Sequence, residues 1–156
     1  MRADRRTQDT VSEFATTIAY DRAGTGGSSD GALPRDGRQA ALELHAALQN
    51  SGVPPPYVLV GHSLGGLYVR IYAAMYPQEV AALVLVDPSL HDDVEVDPGI
   101  LARSTYPEMN GMVAAMQQAS AAPVPAGLPV YVISAMGARG EPWFTAADSE
   151  AREQRA

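Results

Sequence analysis

A serine lies at the centre of a glycine-rich turn that follows an apolar run. Residues 58–66 read Val-Leu-Val-Gly-His-Ser-Leu-Gly-Gly, which places Ser63 in a G-x-S-x-G pattern between Gly61 and Gly65. A strand, a tight turn and a helix in this order would present the Ser63 hydroxyl at the carboxyl edge of a sheet. Glycines on either side are expected because a Cβ there would collide with the neighbouring strand or helix. The pattern predicts a nucleophilic serine, with the Leu64 backbone N–H and the amino end of the next helix facing a developing oxyanion.

The segments around this turn predict the elements that must position it. Short, nearly continuous apolar runs read as strands, and helical patterns separate them, which is typical of a parallel sheet covered on both faces. The predicted strands are 16–20, 57–60, 82–86 and 130–134, and the predicted helices are 35–50, 65–76 and 110–119. Residues 10–13, Thr-Val-Ser-Glu, fit a capping box that would begin a further short helix. We therefore predict an α/β fold of three layers with a mostly parallel sheet of about four strands.

The length of 156 residues predicts a single domain over 1–156. Residues 88–129 are rich in turn formers and carry no strand pattern, so we interpret them as a lid-like excursion over the carboxyl edge of the sheet. Met109, Met112 and Met116 are spaced like one face of a helix within it. They could line an acyl pocket, although packing of the excursion against the core explains the same spacing.

Charge and composition exclude several classes of function. Eleven arginines against 18 acidic residues give a net charge of −7. The sequence contains no extended stretch of clustered basic residues, so a nucleic-acid partner is not expected. The chain has no cysteine, which excludes disulfides and thiolate chemistry. Its first residues are charged and polar without an apolar run, so we expect no membrane anchor and a cytoplasmic location.

Together these segments resemble the α/β-hydrolase fold superfamily. The 58–66 run is similar to its nucleophile elbow, and residues 20–26, 82–88 and 127–133 are similar to its strands 4, 6 and 7 with their adjoining turns. The resemblance implies a serine hydrolase acting on small-molecule carboxylic esters, of the esterase or lipase kind, that needs no cofactor. It also implies that complete members carry a strand 3, a His-Gly oxyanion loop before the matched region, and a catalytic histidine after it.

These features are not found in the sequence, which looks truncated at both ends relative to the family. We accordingly expect weak activity, and exposed sheet edges that favour self-association. The alternative is a non-catalytic or incomplete hydrolase fragment that needs a partner chain or a second copy of itself for stability.

Three histidines are candidates for the general base. His45 lies on a predicted helix surface, and His62 adjoins Ser63 in a position that lines the elbow in the family. His91 follows the third predicted strand by a few residues, and Asp87 ends that strand, so Ser63, Asp87 and His91 occur in the nucleophile–acid–base order of the fold. Our predicted triad is therefore Ser63, Asp87 and His91, although the acid could instead follow the last strand, at Glu141 or Asp148.

Other polar clusters do not predict sites. Residues 24–29 read Gly-Thr-Gly-Gly-Ser-Ser and lack the third glycine of a dinucleotide loop, so they predict a turn. An acidic cluster at Asp92, Asp93, Glu95 and Asp97 has neither the spacing nor the glycine of a calcium loop. No metal site is expected.

Overall fold

The structure, a computed structural model, describes residues 5–33, 35–89 and 111–134. The chain divides into two compact units, Met1–Leu33 and Pro34–Ala156, and each is described by itself. The prediction for His91 lies outside the described residues, as do those for Glu141 and Asp148.

The first unit contains one described helix, α1 (Arg5–Ser12), followed by turns. The predicted capping box is wrong, because the helix ends where the box was expected to begin one. The Ser12 hydroxyl donates backwards to the Gln8 carbonyl at 2.7 Å instead of capping a following turn. The predicted strand at 16–20 is also wrong, since these residues are neither helix nor strand. A strand requires a neighbouring backbone to pair with, and the described part of this unit contains none.

The predicted turn at 24–29 is present, and it folds back on Asp21. The Gly27 N–H donates to Asp21 Oδ2 at 3.0 Å, and the Ser28 hydroxyl donates to the Asp21 carbonyl at 2.6 Å. Gly26 has a φ of 55°, a conformation that glycine adopts without the strain that a Cβ brings. This segment is therefore a structural turn, in which Asp21 accepts two of the hydrogen bonds.

The second unit alternates helices and strands as predicted. Its elements are α2 (Gly37–Ser51), β1 (Tyr57–His62), α3 (Leu64–Met75), a 3₁₀ turn (Pro77–Glu79), β2 (Val80–Val86), α4 (Met112–Ala121) and β3 (Val130–Ile133). The three strands form a parallel sheet in the order β1-β2-β3. The predicted α/β class with a parallel sheet is confirmed, with three strands in the described residues where about four were expected.

The register of the sheet places the ends of β1 and β2 side by side. Leu59 pairs with Leu83, and the last pair is His62 with Val86. The residues that follow, Ser63 and Asp87, therefore leave the same edge of the sheet. On the other side of β2, Val86 pairs with Ile133 of β3.

The core lies on one face of the sheet. Burial along β1 alternates, with Leu59 and Gly61 buried while Val58 and Val60 are 58% and 64% exposed. Buried side chains from α2, α3 and α4 join those of Leu83 and Leu85 in a single cluster. No described helix of this unit covers the second face, so the described residues of this unit by themselves form two layers, where three were predicted for the domain. The apolar residues of the β1 segment are compatible with a strand buried on both faces, but they do not require that both faces be covered.

Helix α4 belongs to the core. Ala115 and Ala119 are fully buried, and Met116 is 7% exposed. The Gln118 side chain donates to Asp36 Oδ2 at 2.9 Å and accepts from the Arg38 N–H at 2.8 Å, which ties α4 to the first turn of α2. Met116 therefore packs in the core, whereas Met109 lies outside the described residues. For residues 90–110 the lid-like excursion stays a prediction.

Candidate active site

Ser63 occupies a strained turn between β1 and α3. Its φ of 51° and ψ of −122° are strongly disfavoured for a residue with a side chain. The Ser63 N–H donates to the Val86 carbonyl at 3.0 Å, and the Ser63 carbonyl accepts from the Gly66 N–H at 2.9 Å. The turn is therefore fixed on one side by β2 and on the other by the first turn of α3. The sequence prediction of a strand, a turn and a helix around Ser63 agrees with this geometry.

The Ser63 hydroxyl is not used to cap the helix. Serine at the N-cap ordinarily accepts a hydrogen bond from an amide in the first turn, but Ser63 makes no side-chain cap bond. Its backbone conformation explains this, because a normal N-cap residue lies in the β region. The hydroxyl is partly buried and faces Ser89, whose Oγ lies 3.4 Å from the Ser63 Oγ.

The glycines around Ser63 differ in how tightly they are required. A Cβ at Gly61 would lie 2.5 Å from the Gly65 carbonyl oxygen and 2.8 Å from Gly66 Cα, so the close approach of β1 and α3 depends on this glycine. A Cβ at Gly65 would meet nothing within 4 Å, and the expected collision at this position is wrong. The second close approach is at Gly66, where a Cβ would lie 2.9 Å from Pro88 Cβ. The second position that cannot accept a Cβ is therefore Gly66, one residue later than the sequence pattern indicated.

Leu64 begins α3, directly after Ser63. Backbone amides in the first turn of a helix have no helical acceptor, and they carry the partial positive charge of the helix amino end. The geometry thus allows the predicted use of the Leu64 N–H toward an anion beside Ser63.

Asp87 directly follows β2 at the same edge of the sheet, also with a positive φ, of 43°. Its N–H donates to the Ile133 carbonyl at 2.6 Å, so the turn after β2 is attached to β3. The side chain of Asp87 is partly buried. The structure brings Asp87 to the neighbouring strand end beside Ser63, as the sequence argument required.

Sequence reasoning missed Ser89. Its N–H donates to the Ser63 carbonyl at 3.2 Å, in addition to the hydroxyl contact. The sequence contains a signal for it, because residues 87–89 follow β2 as Asp-Pro-Ser, which places Ser89 two residues after Asp87 at the same edge of the sheet.

The described hydrogen bonds of the Ser63 hydroxyl include neither of the two described histidines. His62 is exposed, at the end of β1 and on the same face as Val58 and Val60. His45 Nδ1 lies 3.2 Å from Glu79 Oε2, and its ring stacks on Tyr76 with centroids 4.0 Å apart. Glu79 immediately precedes β2, so His45 belongs to the amino end of the sheet, opposite Ser63. As a partner of Glu79, His45 has a structural explanation.

Within residues 5–33, 35–89 and 111–134, no group of three or more histidine, aspartate or glutamate side chains is arranged to hold a metal ion. In the same part of the chain, no helix combines the length and apolar character needed to cross a bilayer.

Comparison with known proteins agrees with this geometry. Residues 6–126 match the family model described as the alpha/beta hydrolase fold, which is more than half of the chain. The chain belongs to the alpha/beta hydrolase fold family. Membership explains why β1, the Ser63 turn and α3 occur together, since this family builds its nucleophile on a strand-turn-helix unit.

Relatives of this alpha/beta hydrolase include lipases. The (lyso)-N-acylphosphatidylethanolamine lipase of Mus musculus is 38% identical over 84 residues, covering 51% of this chain and 24% of the lipase. The chain spans 30% or less of the length of the curated relatives that it matches first.

Solved structures share the fold. A probable hydrolytic enzyme from Pseudomonas aeruginosa PAO1 has a TM-score of 0.54 at 22% identity, over 95% of this chain and 65% of that one. An epoxide hydrolase has a TM-score of 0.52 at 21% identity, over 63% of this chain and 35% of that one. At these identities the likeness shows the architecture alone, and the reaction must be argued from the residues at the site.

Proposed function

We propose that this alpha/beta hydrolase cleaves carboxylic esters through an acyl-enzyme on Ser63. The observation that carries the proposal is the Ser63 turn, in which a side chain is held at a φ of 51° and its hydroxyl is not engaged as a helix cap. Strain of this kind costs roughly 1–3 kcal/mol and persists where the surrounding structure maintains it, often at functional sites. Gly61 and the hydrogen bond to Val86 maintain it here.

The proposed reaction has two steps. The Ser63 Oγ bonds to the carbonyl carbon of the ester while its proton passes to a general base, and the carbonyl oxygen becomes an oxyanion beside the Leu64 N–H. The bond to the alcohol oxygen then breaks, and the alcohol leaves with that proton. Water attacks the acyl-enzyme in the second step, which releases the acid and returns a proton to Ser63.

For the base and its partner we propose His91 and Asp87. Asp87 leaves the sheet beside Ser63, which supports a role for its carboxylate in orienting an imidazole and stabilising its positive charge. His91 follows Asp87 closely enough along the chain to reach the same edge.

The nucleophile type supports esters over epoxides. An epoxide hydrolase shares the fold, but epoxide opening on this fold uses a carboxylate nucleophile, and position 63 is a serine. The lipase relative, which is 38% identical over a region of 84 residues, also supports the ester class.

Labelling with an alkyl fluorophosphonate tests the nucleophile, because Ser63 Oγ would bond to phosphorus as fluoride leaves. Mass spectrometry of the wild type should locate the label on Ser63, and hydrolysis of p-nitrophenyl esters should be measured in parallel. Ser63→Ala should lose both signals, whereas Ser51→Ala, which removes a hydroxyl from the end of α2, should keep both. Ester turnover that survives in Ser63→Ala would overturn the mechanism.

The triad is tested separately. His91→Ala and Asp87→Asn should each lower turnover by about 100-fold or more, as removal of a triad member does in other serine hydrolases. Unchanged turnover in His91→Ala would remove this triad but leave Ser63 as the nucleophile.

A second proposal is that the chain is a non-catalytic fragment stabilised by association with a second copy of itself. The observation that favours it is the apolar face of the sheet, where Val58, Val60, Tyr131 and Ile133 are each more than half exposed. In addition, β1 has no strand beside its outer edge among the described residues. Both features are liabilities for a monomer.

Light scattering coupled to size-exclusion chromatography tests the proposed association, and ester hydrolysis tests catalysis separately. A self-associating fragment should gain mass with concentration, and Val60→Lys should return it to a monomer. Leu42→Lys places the same charge on an exposed position of α2 and should leave the mass unchanged. A concentration-independent monomer that melts cooperatively would contradict the fragment proposal.

A further inference from the structure

We propose that Ser89 is a positioning residue for Ser63, holding the Ser63 hydroxyl in one orientation at the edge of the sheet. The inference rests on the proposed function of Ser63 as nucleophile, and it adds a residue that no family motif in the sequence indicates. Ser89 contacts Ser63 twice, through its backbone and through its side chain.

The backbone contact fixes where Ser89 lies. The Ser89 N–H donates to the Ser63 carbonyl at 3.2 Å, while the Ser63 N–H donates to the Val86 carbonyl at 3.0 Å. The turn of Ser63 and the turn after β2 are therefore linked in both directions. A large displacement of one turn relative to the other would therefore disrupt these hydrogen bonds.

The turn that carries Ser89 is itself held on two sides. The Asp87 N–H donates to the Ile133 carbonyl of β3 at 2.6 Å. Pro88 packs so closely on the first turn of α3 that a Cβ at Gly66 would lie 2.9 Å from Pro88 Cβ. The proline ring also fixes its own φ. Ser89 is consequently presented from a rigid support, which is what a positioning group requires.

The side-chain contact then acts on the reactive atom. The two hydroxyl oxygens lie 3.4 Å apart, somewhat longer than an ordinary O–H···O bond. Hydrogen bonds at catalytic groups are often long before substrate binds and shorten in the complex. Because Ser63 does not cap α3, its hydroxyl can rotate, and a hydrogen bond with Ser89 selects one rotamer. Selecting that rotamer raises the fraction of molecules poised for attack without adding any contact to the ester.

This role predicts an effect on rate rather than on binding. Ser89→Ala should lower kcat/KM for p-nitrophenyl esters, and the rate of fluorophosphonate labelling, by about 10-fold to 100-fold, the range expected when a reacting group is misplaced. Because Ser89 is not proposed to touch the substrate, the loss should appear in the rate of acylation of Ser63. Ser89→Thr keeps a hydroxyl on Cβ and should restore most of the rate. Ser51→Ala is the matched control and should behave as the wild type.

The outcomes separate the two proposals. If Ser63→Ala abolishes labelling while Ser89→Ala labels at the wild-type rate, the role of Ser89 is overturned and Ser63 remains the nucleophile. If the wild type is not labelled on Ser63, the proposed function fails.

A structural measurement keeps the test of Ser89 independent of turnover. Crystal structures of the wild type and Ser89→Ala should show one Ser63 side-chain conformer in the former and several in the latter. The same single Ser63 conformer in both would overturn the inference, whatever the activity.

Discussion

Ser63 and Asp87 follow the last paired residues of two neighbouring strands, and both have positive φ values, of 51° and 43°. In the described residues they are the only residues other than glycine with such values. Each turn is attached to the next strand of the sheet, since Ser63 donates to Val86 and Asp87 donates to Ile133. The hydrogen bonds to the neighbouring strands thus hold the backbone of two residues that carry side chains at positive φ, at the same edge of the sheet.

Relieving the strain at Ser63 should stabilise the protein. Ser63→Gly is expected to be about 1 kcal/mol more stable than Ser63→Ala, because removal of roughly 1–3 kcal/mol of backbone strain exceeds the added entropy of glycine in the unfolded chain. Urea denaturation of both variants measures the difference. The same pair at Ser51, the last residue of α2, should have the opposite order, since alanine is the better helix former. Equal stabilities at position 63 would mean that the turn is not strained.

Gly61 and Gly65 should respond differently to alanine. Gly61→Ala should cost about 1–3 kcal/mol or more, because its Cβ would lie 2.5 Å from a backbone carbonyl oxygen that cannot move without displacing α3. Gly65→Ala should be neutral or stabilise the protein by up to about 1 kcal/mol, since its Cβ meets nothing and alanine favours the helix. Thermal unfolding followed by circular dichroism tests both. A larger loss for Gly65→Ala than for Gly61→Ala would contradict the geometry of the turn.

The buried hydroxyl of Tyr72 should make stability depend on alkaline pH. Tyr72 is fully buried and donates to Glu79 Oε2 at 2.5 Å. Burial raises the pKa of Tyr72 above its ordinary value of 10.0, and the hydrogen bond and charge of Glu79 raise it further. The folded state therefore keeps a proton that the unfolded chain releases, so stability from this group is present below about pH 10 and is lost as the pH rises above it.

Tyr72→Phe should remove this dependence. We expect a loss of about 1–3 kcal/mol near neutral pH, because Glu79 loses a donor, and a flatter decline of stability above about pH 10 than in the wild type. Urea denaturation at several pH values measures both effects. Tyr131→Phe, at an exposed ring on β3, should leave the stability at neutral pH unchanged. An alkaline decline in Tyr72→Phe as steep as in the wild type would show that other groups cause it.

Glu43 should contribute to the opposite, acidic side of the pH profile. Arg35 is buried and donates to both carboxylate oxygens of Glu43, at 2.6 and 2.8 Å. These hydrogen bonds from the guanidinium hold the pKa of Glu43 below its ordinary value of 4.5, and burial only partly opposes them. The folded state therefore binds fewer protons, so stability from Glu43 is present above about pH 4.5 and is lost as the pH falls below it.

Glu43→Gln should therefore lower stability near neutral pH, by about 1–3 kcal/mol, and flatten the acidic decline. Denaturation with urea between neutral pH and about pH 3 is the measurement. Glu13→Gln, on an exposed turn, is the control and should match the wild type at neutral pH. A variant as stable as the wild type at neutral pH would mean that the Arg35 pair contributes nothing to folding.

Much of the second unit could be predicted from sequence because its signals are local. β1, β2 and β3 agree with three apolar runs to within two residues at each end, and α2, α3 and α4 agree similarly with three helical patterns. The run at 16–20 has the same apolar character but no strand, because a strand exists only where another backbone pairs with it. The amino-acid composition of a segment does not show whether a second strand lies beside it.

For the candidate site, too, local features could be predicted from the sequence and contacts between distant segments could not. The strand-turn-helix order around Ser63 and the need for glycine at Gly61 were determined by the sequence, because the close contacts of Gly61 are with Gly65 and Gly66, only a few positions away. The tertiary structure alone decided that Gly66 and not Gly65 is closely packed, that Ser89 contacts Ser63, and that one face of the sheet remains exposed in the described residues. These relationships depend on which strand lies next to β1 and on the register of the two strands. Strand order and register in turn depend on how helices distant in the chain pack against the sheet.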